Sequence, residues 1–191
     1  MRLIFATQNS NKAKEVNALV GDDFEILSLK DIKCDTEIEE TGNTLIENAS
    51  IKASFIYQTY HYNCFADDTG LMVDALNGEP GVHSARYAGI ERNDDTNINL
   101  LLSRLAEKEN RKAHFETVIC LIIDGKTQYF TGTLHGKIIK EKLGTNGFGY
   151  DPIFMPDGYD ITLAQMSLEE KNKISHRALA FGELAKFLKG N

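Results

Sequence analysis

The fold is decided near the start of the chain, by Leu3-Ile4-Phe5-Ala6-Thr7-Gln8-Asn9-Ser10-Asn11-Lys12. Its four leading apolar residues predict a short buried strand, and the polar residues behind them are rich in helix-capping types. A helix is expected next, with Ala13, Val16 and Val20 on one face and Gly21 as its stop. A strand, a polar loop and a helix in that order predict the opening unit of an α/β fold.

The following segments continue this alternation of helices and strands. The segment Thr44 to Tyr60 is predicted to be a helix, because its apolar residues recur at spacings of three and four. Cys64-Phe65-Ala66 is predicted to be a buried strand that ends at Asp67-Asp68-Thr69-Gly70. The apolar stripe of the helix is formed by Ile46, Ala49, Ala53, Ile56 and Tyr60.

A β-hairpin is predicted in the second half of the chain. The β-rich segments His114 to Ile123 and Gln128 to Ile139 flank Asp124-Gly125, a pair typical of hairpin turns. Helices combined with an antiparallel hairpin predict an α/β fold with a mixed central sheet flanked by helices. The chain has no internal repeat and no Pro- or Ser-rich linker, so residues 1–191 are expected to form a single domain.

Composition excludes several classes of function. A formal net charge of −7 argues against binding to a nucleic-acid polymer, which needs a basic surface. The longest apolar run, Val118 to Ile123, is too short to span a membrane, and no signal-type cleavage region follows the first residues. A cytoplasmic protein is therefore expected. Cys34, Cys64 and Cys120 form no CxxC pair, which predicts free thiols.

The loop from Thr7 to Lys12 is a candidate anion site. Backbone N–H groups at a helix N-terminus attract anions, and the lysine adds a full positive charge. Phosphate binding would use both features, whereas a capped helix with an exposed lysine would need no ligand. The loop has neither the Walker A pattern nor GxGxxG, so it matches no known phosphate motif.

Two acidic segments are candidates for a cation site. The adjacent carboxylates of Asp67 and Asp68 follow a buried strand, where they would repel each other without a cation. Magnesium prefers hard oxygen ligands and often takes one or two carboxylates together with phosphate oxygens. The alternative is a surface turn. Glu39 and Glu40 precede the predicted helix at Thr44, where they could complete the site or only stabilise the helix dipole.

Two further segments could hold a nucleotide. In Gly147-Phe148-Gly149-Tyr150-Asp151-Pro152, glycines would let the backbone approach a ligand and the aromatic rings could stack on a purine. Lys171, Ser175, His176 and Arg177 cluster near the start of the last helix and could pair with phosphates or base carbonyls. Each segment also has an ordinary structural explanation, as a tight turn or as solvated helix-end charges.

The motifs together resemble the inosine triphosphate pyrophosphatase family, also called the non-canonical purine NTP pyrophosphatases. Each motif is weak alone, but their order is specific and covers essentially the whole chain. The matching motifs are Ala6-Thr7-x-Asn9-x-x-Lys12, Glu40-Thr41-Gly42 with Glu47-Asn48-Ala49 and Lys52-Ala53, Ala66-Asp67-Asp68-Thr69-Gly70-Leu71, Pro80-Gly81 with Ser84-Ala85-Arg86-Tyr87, Gly147-Phe148-Gly149-Tyr150-Asp151-Pro152, and Glu170-Lys171 with Ser175-His176-Arg177.

This resemblance implies a bacterial-type enzyme with a long mixed sheet and two lobes around a central nucleotide cleft. Such an enzyme is usually a homodimer that uses Mg²⁺ and releases pyrophosphate from ITP, dITP and XTP. It implies Asp68 as the catalytic carboxylate, with Asp68 and Glu40 as metal ligands. The substrate-binding residues that it implies are Thr7, Gln8, Asn9, Ser10, Asn11, Lys12, Lys52, Thr69, Phe148, Gly149, Tyr150, Asp151, Lys171, His176 and Arg177.

The chain departs from the family pattern at two positions. Gln8 replaces the usual glycine, which would restrict the loop if it needs a positive φ there. Thr69 replaces a commoner serine and keeps the hydroxyl. The second metal carboxylate is also open at this point, because Glu39 and Asp67 are alternatives to Glu40.

Two other functions compete with this interpretation. One is the related Maf-like class of nucleotide pyrophosphatases, against which the His176-Arg177 pair and the Phe148-to-Asp151 loop count. The other is a nucleotide sensor without enzymatic activity, which would not need the acidic cluster. A pyrophosphate-release assay separates a sensor from an enzyme.

Overall fold

Seven strands and five α-helices form the regular structure in the computed structural model, which describes residues 2–20 and 24–190. The predicted helix stop, Gly21, lies outside the described residues. The strands are β1 (Arg2–Phe5), β2 (Glu25–Ser28), β3 (Cys64–Val73), β4 (Pro80–Gly81), β5 (Lys112–Ile123), β6 (Lys126–Ile138) and β7 (Phe154–Pro156). The helices are α1 (Ser10–Val20), α2 (Leu45–Tyr60), α3 (Asp94–Arg104), α4 (Leu168–Ile174) and α5 (His176–Gly190).

All seven strands belong to one mixed sheet. Its order is β2-β1-β3-β5-β6-β7, and β4 pairs with β3 outside this path. Strand β1 pairs in parallel with both β2 and β3, whereas β4 on β3 and β7 on β6 are antiparallel. This arrangement confirms the predicted α/β fold with a mixed central sheet.

Local sequence signals explain where several elements begin and end. Asp124 and Gly125 join β5 to β6 with φ values of 48° and 78°, as a two-residue type I′ hairpin turn requires. Thr44 and Glu47 form a capping box at α2, and Asn93 caps α3 by accepting a hydrogen bond from Thr96 N–H. The predicted hairpin is therefore confirmed.

Strand β3 differs from its prediction. It does not end at Asp67-Asp68-Thr69-Gly70 but continues through these residues to Val73. Both carboxylates are buried in the strand, Asp67 with 2% and Asp68 with 7% of its surface exposed. A buried strand can carry two acidic residues because each has cationic partners, which are described below.

The buried face of α2 also differs from its prediction. Ile46, assigned to the apolar stripe, is 49% exposed. The buried stripe instead contains two polar residues, Asn48 and Lys52, among Leu45, Ala49, Ala53 and Ile56. These two side chains are buried because they turn toward an acidic partner, and not because they are apolar.

The chain divides into two compact units. One comprises Met1–Asp68, Thr117–Gly132 and Arg177–Asn191, and the other comprises Thr69–Glu116 and Thr133–His176. The first unit has two apolar clusters: one contains Phe65, and the other contains Cys64 and Ala66. All three cysteines are free and buried, which the apolar surroundings of Cys64 and Cys120 in the sequence predict for those two.

The second unit has one apolar cluster, formed around Leu71, Leu101, Phe115 and Phe154. In the ranges that the structure describes, no helix is both long and apolar enough to cross a membrane.

Candidate active site

The adjacent carboxylates of β3 face opposite sides of the strand. Successive side chains of a strand alternate between the two faces, and this alternation is visible in the packing. Phe65 joins one apolar cluster of the first unit, whereas Cys64 and Ala66 join the other. Asp67 therefore lies on the side of Phe65, and Asp68 on the side of Ala66. The two aspartates have different partners for this reason.

Asp68 shares a lysine with Glu40. Lys52 Nζ lies 2.5 Å from Glu40 Oε1 and 3.6 Å from Asp68 Oδ1. The other oxygen of Asp68, Oδ2, accepts a hydrogen bond of 3.1 Å from Asn48 Nδ2. Helix α2 supplies both Asn48 and Lys52 from adjacent turns of its buried face. The arrangement collects two carboxylates around one ammonium group.

Burial and charge set the protonation of this group. Burial raises the pKa of Asp68, and Glu40 raises it further, while Lys52 and Lys12 act against the shift. Burial lowers the pKa of Lys52, but Asp68 and Glu40 outweigh that effect, so the net shift is upward. A carboxylate with a raised pKa accepts a proton more readily than an ordinary aspartate, which suits a general base.

Two carboxylates of this group could hold a magnesium ion. An oxygen of Glu40 and an oxygen of Asp68 both lie near Lys52 Nζ, and magnesium commonly takes one or two carboxylates plus phosphate oxygens. In residues 2–20 and 24–190, no three acidic, histidine or cysteine side chains are grouped so as to hold a metal ion by themselves. Glu39 is exposed and Asp67 faces the other side of β3, so of the three alternatives Glu40 fits best as the second carboxylate.

Asp67 is the centre of a buried ion-pair network. Its Oδ2 accepts from Lys12 Nζ at 2.9 Å and from Arg177 Nε at 3.3 Å. Arg177 also pairs through Nη1 with Glu15, which α1 contributes. Only 1% of Arg177 is exposed. Asp67 therefore links the loop that begins α1 to the first turn of α5.

The ion-pair network gives Asp67 a lower pKa than Asp68. Burial would raise the pKa of Asp67, but Lys12 and Arg177 outweigh it and hold this pKa well below the ordinary range. Burial lowers the pKa of Lys12, and Asp67 opposes that shift. Neighbouring carboxylates with opposite shifts have different roles: Asp67 is a permanent anion that pairs with cations, and Asp68 is the candidate base.

The loop Thr7 to Lys12 is organised as a helix cap. Asn9 Oδ1 accepts hydrogen bonds from the backbone N–H groups of Asn11 and Lys12, at 2.9 and 3.2 Å. Ser10 begins α1, and the loop residues 8–11 are exposed. Gln8 is not among the described non-glycine residues with positive φ, so glutamine replaces glycine there without backbone strain.

The glycine-rich segment of the second unit is fixed by Asp151. This buried carboxylate accepts from Lys171 Nζ at 2.5 Å and from Phe148 N–H at 2.9 Å. The Lys171 ammonium also lies 5.0 Å from the centre of the Phe148 ring, within cation–π range. A Cβ on Gly147 would lie 2.0 Å from Asp151 Oδ2, which explains the glycine. The predicted residues Phe148, Asp151 and Lys171 are thus brought together.

The remaining predicted residues of this unit have other contacts. Gly149 N–H donates to Asp94 Oδ2 at 2.7 Å, and the Tyr150 hydroxyl donates to the Ser84 carbonyl at 2.9 Å. Thr69 is half-buried in β3.

His176 is buried and stacks on Phe115, with ring centres 4.6 Å apart. Arg177, the next residue, belongs to the ion-pair network of the first unit.

Comparison with known proteins decides the family. A model of the Ham1 family matches residues 3–187 of this chain. The chain belongs to the Ham1 family. A curated relative from Christiangramia forsetii, named dITP/XTP pyrophosphatase, is 54% identical over 188 residues, which are 98% of this chain and 99% of the relative. Another with the same name, from Flavobacterium psychrophilum, is 54% identical over 189 residues, which are 99% of this chain and all of the relative.

Solved structures of Ham1 proteins have the same fold. The Ham1 protein of Staphylococcus aureus superposes with a TM-score of 0.91 at 41% identity, covering 100% of this chain and 99% of that one. A HAM1 protein from Coxiella burnetii gives a TM-score of 0.92 at 37% identity and covers both chains fully. These matches confirm the family inferred from the ordered motifs, and they favour it over the Maf-like alternative.

Sequence reasoning gave no role to two residues of this candidate site, Glu15 and Asn48, although Asn48 lies in one of the matching motifs. Glu15 lies on α1 with Lys12, Val16 and Leu19 at spacings of three and four, so its helical face could have indicated burial. Asn48 falls in the buried stripe of α2, but the predicted stripe included Ile46 and not Asn48. A polar residue at an apolar-stripe position is the signal that could have identified both.

Proposed function

We propose that this Ham1 family member hydrolyses ITP, dITP and XTP to the nucleoside monophosphate and pyrophosphate, which removes deaminated purines from the nucleotide pool. The observation that carries the proposal is the 54% identity, over almost the full length, to two proteins named dITP/XTP pyrophosphatase. Hydrolysis between the α and β phosphates needs an oriented water, charge neutralisation and a stabilised leaving pyrophosphate. The described residues offer a group for each task.

Asp68 is the proposed catalytic carboxylate. Its pKa is raised by burial, so it can accept a proton from an attacking water more readily than an exposed aspartate. Asn48 holds one of its oxygens, and the other faces Lys52, which also contacts Glu40. That oxygen is the one we assign to water or metal.

Glu40 and Asp68 are the proposed ligands of Mg²⁺. Magnesium bound there would neutralise phosphate charge and polarise the reacting phosphorus centre. Lys52 contacts both carboxylates, so one oxygen of each lies close to the same point, where a metal ion would be bound.

The phosphates are assigned to α1 and to two lysines. Residues Thr7 to Asn11 would present backbone N–H groups and side chains at the N-terminus of α1, where anions are stabilised. Lys12 would hold the leaving pyrophosphate while Asp67 keeps its ammonium in place, 2.9 Å away. Lys52 would contribute from the opposite face of β3. Both lysines stabilise the charge that develops on the leaving group.

Base recognition is assigned to the second unit and the start of α5. Phe148 would offer an aromatic face to the purine, and the neighbouring residues Thr69, Gly149, Tyr150, Asp151 and Lys171 would line the nucleotide site. His176 would donate a hydrogen bond to the 6-keto oxygen of hypoxanthine or xanthine, or Arg177 would do so while it remains paired with Asp67 and Glu15. Adenine has an amino group there, so the donor would be left unpaired.

Assembly and location complete the proposal. We expect a homodimer, as the family resemblance implies, with purine nucleoside triphosphates as its small-molecule partners, and its composition favours the cytoplasm. Sedimentation velocity of the purified chain would test the dimer, since a sedimentation coefficient near that of a 21.3 kDa monomer would contradict it.

A pyrophosphate-release assay tests the activity and its catalytic residue together. Wild type should release pyrophosphate from ITP, dITP and XTP faster than from ATP or GTP, and only with magnesium. Asp68→Asn keeps the size of the side chain and removes its charge, so it should lose nearly all turnover while remaining folded. Wild-type rates from folded Asp68→Asn would overturn the assignment, and absence of pyrophosphate from wild type would favour a sensor.

A further inference from the structure

Asn48 joins the two acidic segments of the candidate site. It lies on α2 with only 1% of its surface exposed. Its Nδ2 donates to Asp68 Oδ2 at 3.1 Å, and its Oδ1 accepts from Gly42 N–H at 2.8 Å. Gly42 lies two residues after Glu40. One buried amide therefore contacts both the proposed base and the loop that carries the second carboxylate.

The chemistry of the two partners explains why this side chain is an amide. An ionised carboxylate can only accept a hydrogen bond, and a backbone N–H can only donate one. Asparagine offers a donor and an acceptor at the required separation, and its two partners fix which end faces which. Leucine at this position would keep the approximate shape but satisfy neither Asp68 nor Gly42.

The glycine at position 42 supports the same link from the other side. A Cβ on Gly42 would lie 2.8 Å from Asn48 Oδ1 and 2.6 Å from Glu47 Cβ. Both separations are shorter than side chains tolerate, so only glycine allows the loop to approach the amide this closely. The close approach places Glu40 where its carboxylate meets Lys52.

We propose that Asn48 is a positioning residue that holds Asp68 and the Glu40 loop in one fixed arrangement. It rests on the proposed pyrophosphatase function. With Oδ2 engaged by Asn48, the Oδ1 atom of Asp68 is turned toward Lys52, 3.6 Å away. Asn48 thus selects which oxygen of Asp68 faces Lys52, the lysine that also contacts Glu40, and it contacts Asp68 only through the other oxygen.

The chain contains a matched control in Asn97. This asparagine is also buried on a helix, α3, and also bridges a loop with both ends of its amide. Ala88 N–H donates to its Oδ1 at 2.7 Å, and its Nδ2 donates to the Ala85 carbonyl at 3.1 Å. Neither partner is a carboxylate. Asn97→Leu therefore removes a comparable pair of hydrogen bonds at a position away from the acidic site.

The experiment compares Asn48→Leu with Asn97→Leu. Steady-state kinetics with ITP should show kcat of Asn48→Leu reduced about tenfold to a hundredfold with little change in KM, because a misplaced catalytic group costs rate and not binding. Asn97→Leu should keep kcat within about twofold, although it loses a comparable pair of buried hydrogen bonds. Hydrogen exchange of the Gly42 amide, followed by NMR, should accelerate at least about tenfold in Asn48→Leu only.

Gly42→Ala supplies an independent perturbation of the same link. Its added methyl group should displace the loop from Asn48 and reduce kcat as Asn48→Leu does.

The outcomes separate this inference from the proposed function. Inactive wild type would overturn the function and the inference with it. If wild type is active and Asn48→Leu keeps kcat within twofold of Asn97→Leu, the inference alone is wrong. The inference also fails if Gly42 exchange is unchanged in Asn48→Leu, or if that variant loses activity only because it is unfolded at the assay temperature.

Discussion

Asp67→Asn should destabilise this protein far more than the same change at its neighbour. Asp67 Oδ2 accepts from Lys12 at 2.9 Å and from Arg177 at 3.3 Å, and the side chain is 2% exposed. A hydrogen bond to a charged group contributes about 1.5–3 kcal/mol, and breaking a buried ion pair costs about 3–5 kcal/mol. The amide oxygen of asparagine still accepts, and Glu15 still pairs with Arg177. We therefore expect the free energy of unfolding of Asp67→Asn to fall by about 3 kcal/mol, the low end of the range for a broken buried ion pair.

Asp68→Asn should have a small effect on stability, because burial already disfavours the charged form of Asp68 and raises its pKa. A change within about 1 kcal/mol is expected. The assay is urea unfolding followed by circular dichroism at pH 7, with the free energy of unfolding obtained by linear extrapolation. A loss below about 1 kcal/mol in Asp67→Asn, or equal losses in both variants, would refute the assignment of the two carboxylates to different roles.

The pH dependence of Asp67→Asn has a definite sign. The folded-state pKa of Asp67 is depressed, so its stabilisation is complete above the unfolded value of about 3.9 and is lost as the pH falls through the folded value. The difference in unfolding free energy between wild type and Asp67→Asn should therefore shrink on acidification below about pH 4. A difference that grows on acidification would contradict the depressed pKa.

Two further substitutions test the ligand contacts. Lys12→Ala should reduce kcat/KM for ITP and GTP by the same factor, because phosphates carry no base identity; a large change in the ITP-to-GTP ratio with ITP activity retained would assign Lys12 to base recognition. In at least one of His176→Ala and Arg177→Ala, selectivity over ATP should fall about tenfold to a hundredfold, since a lost charge-assisted hydrogen bond is worth about 1.5–3 kcal/mol. Uniform losses with ITP, XTP, GTP and ATP would instead assign both residues to the phosphates or to the scaffold.

Hydrophobic periodicity and capping residues were sufficient to predict most of the fold. The apolar run before Thr7 forms β1, and Asp124-Gly125 forms the hairpin turn between β5 and β6. A capping box at Ser167 and Glu170 also begins α4. These signals are local, because the residues that decide them lie within a few positions of one another.

The continuation of β3 through Asp67 and Asp68 could not be predicted in the same way. Two adjacent acidic residues normally indicate a turn, and the cations that let them remain in a buried strand come from distant segments. Arg177 is 110 positions from Asp67, and Lys52 belongs to another helix. Only the folded chain shows that the first aspartate meets one set of cations and the second meets another.

The buried face of α2 shows a second limit of sequence reasoning. Apolar residues alone placed Ile46 on the buried face, but the face is rotated to include Asn48 and Lys52. Their burial is stabilised by Asp68 and Glu40, which a hydrophobic pattern does not record. At functional sites, the spacing of apolar residues is a less reliable guide to which face of a helix is buried, because polar partners replace apolar packing there.

The products formed from ITP distinguish a pyrophosphatase from other nucleotide hydrolases. We predict that ³¹P NMR of ITP with magnesium and wild-type protein will show inosine monophosphate and pyrophosphate appearing in equal amounts, and that Asp68→Asn will show neither. Cleavage between the α and β phosphates is the property that defines the proposed enzyme. Inosine diphosphate and inorganic phosphate as the products, or unchanged ITP with the wild-type protein, would contradict it.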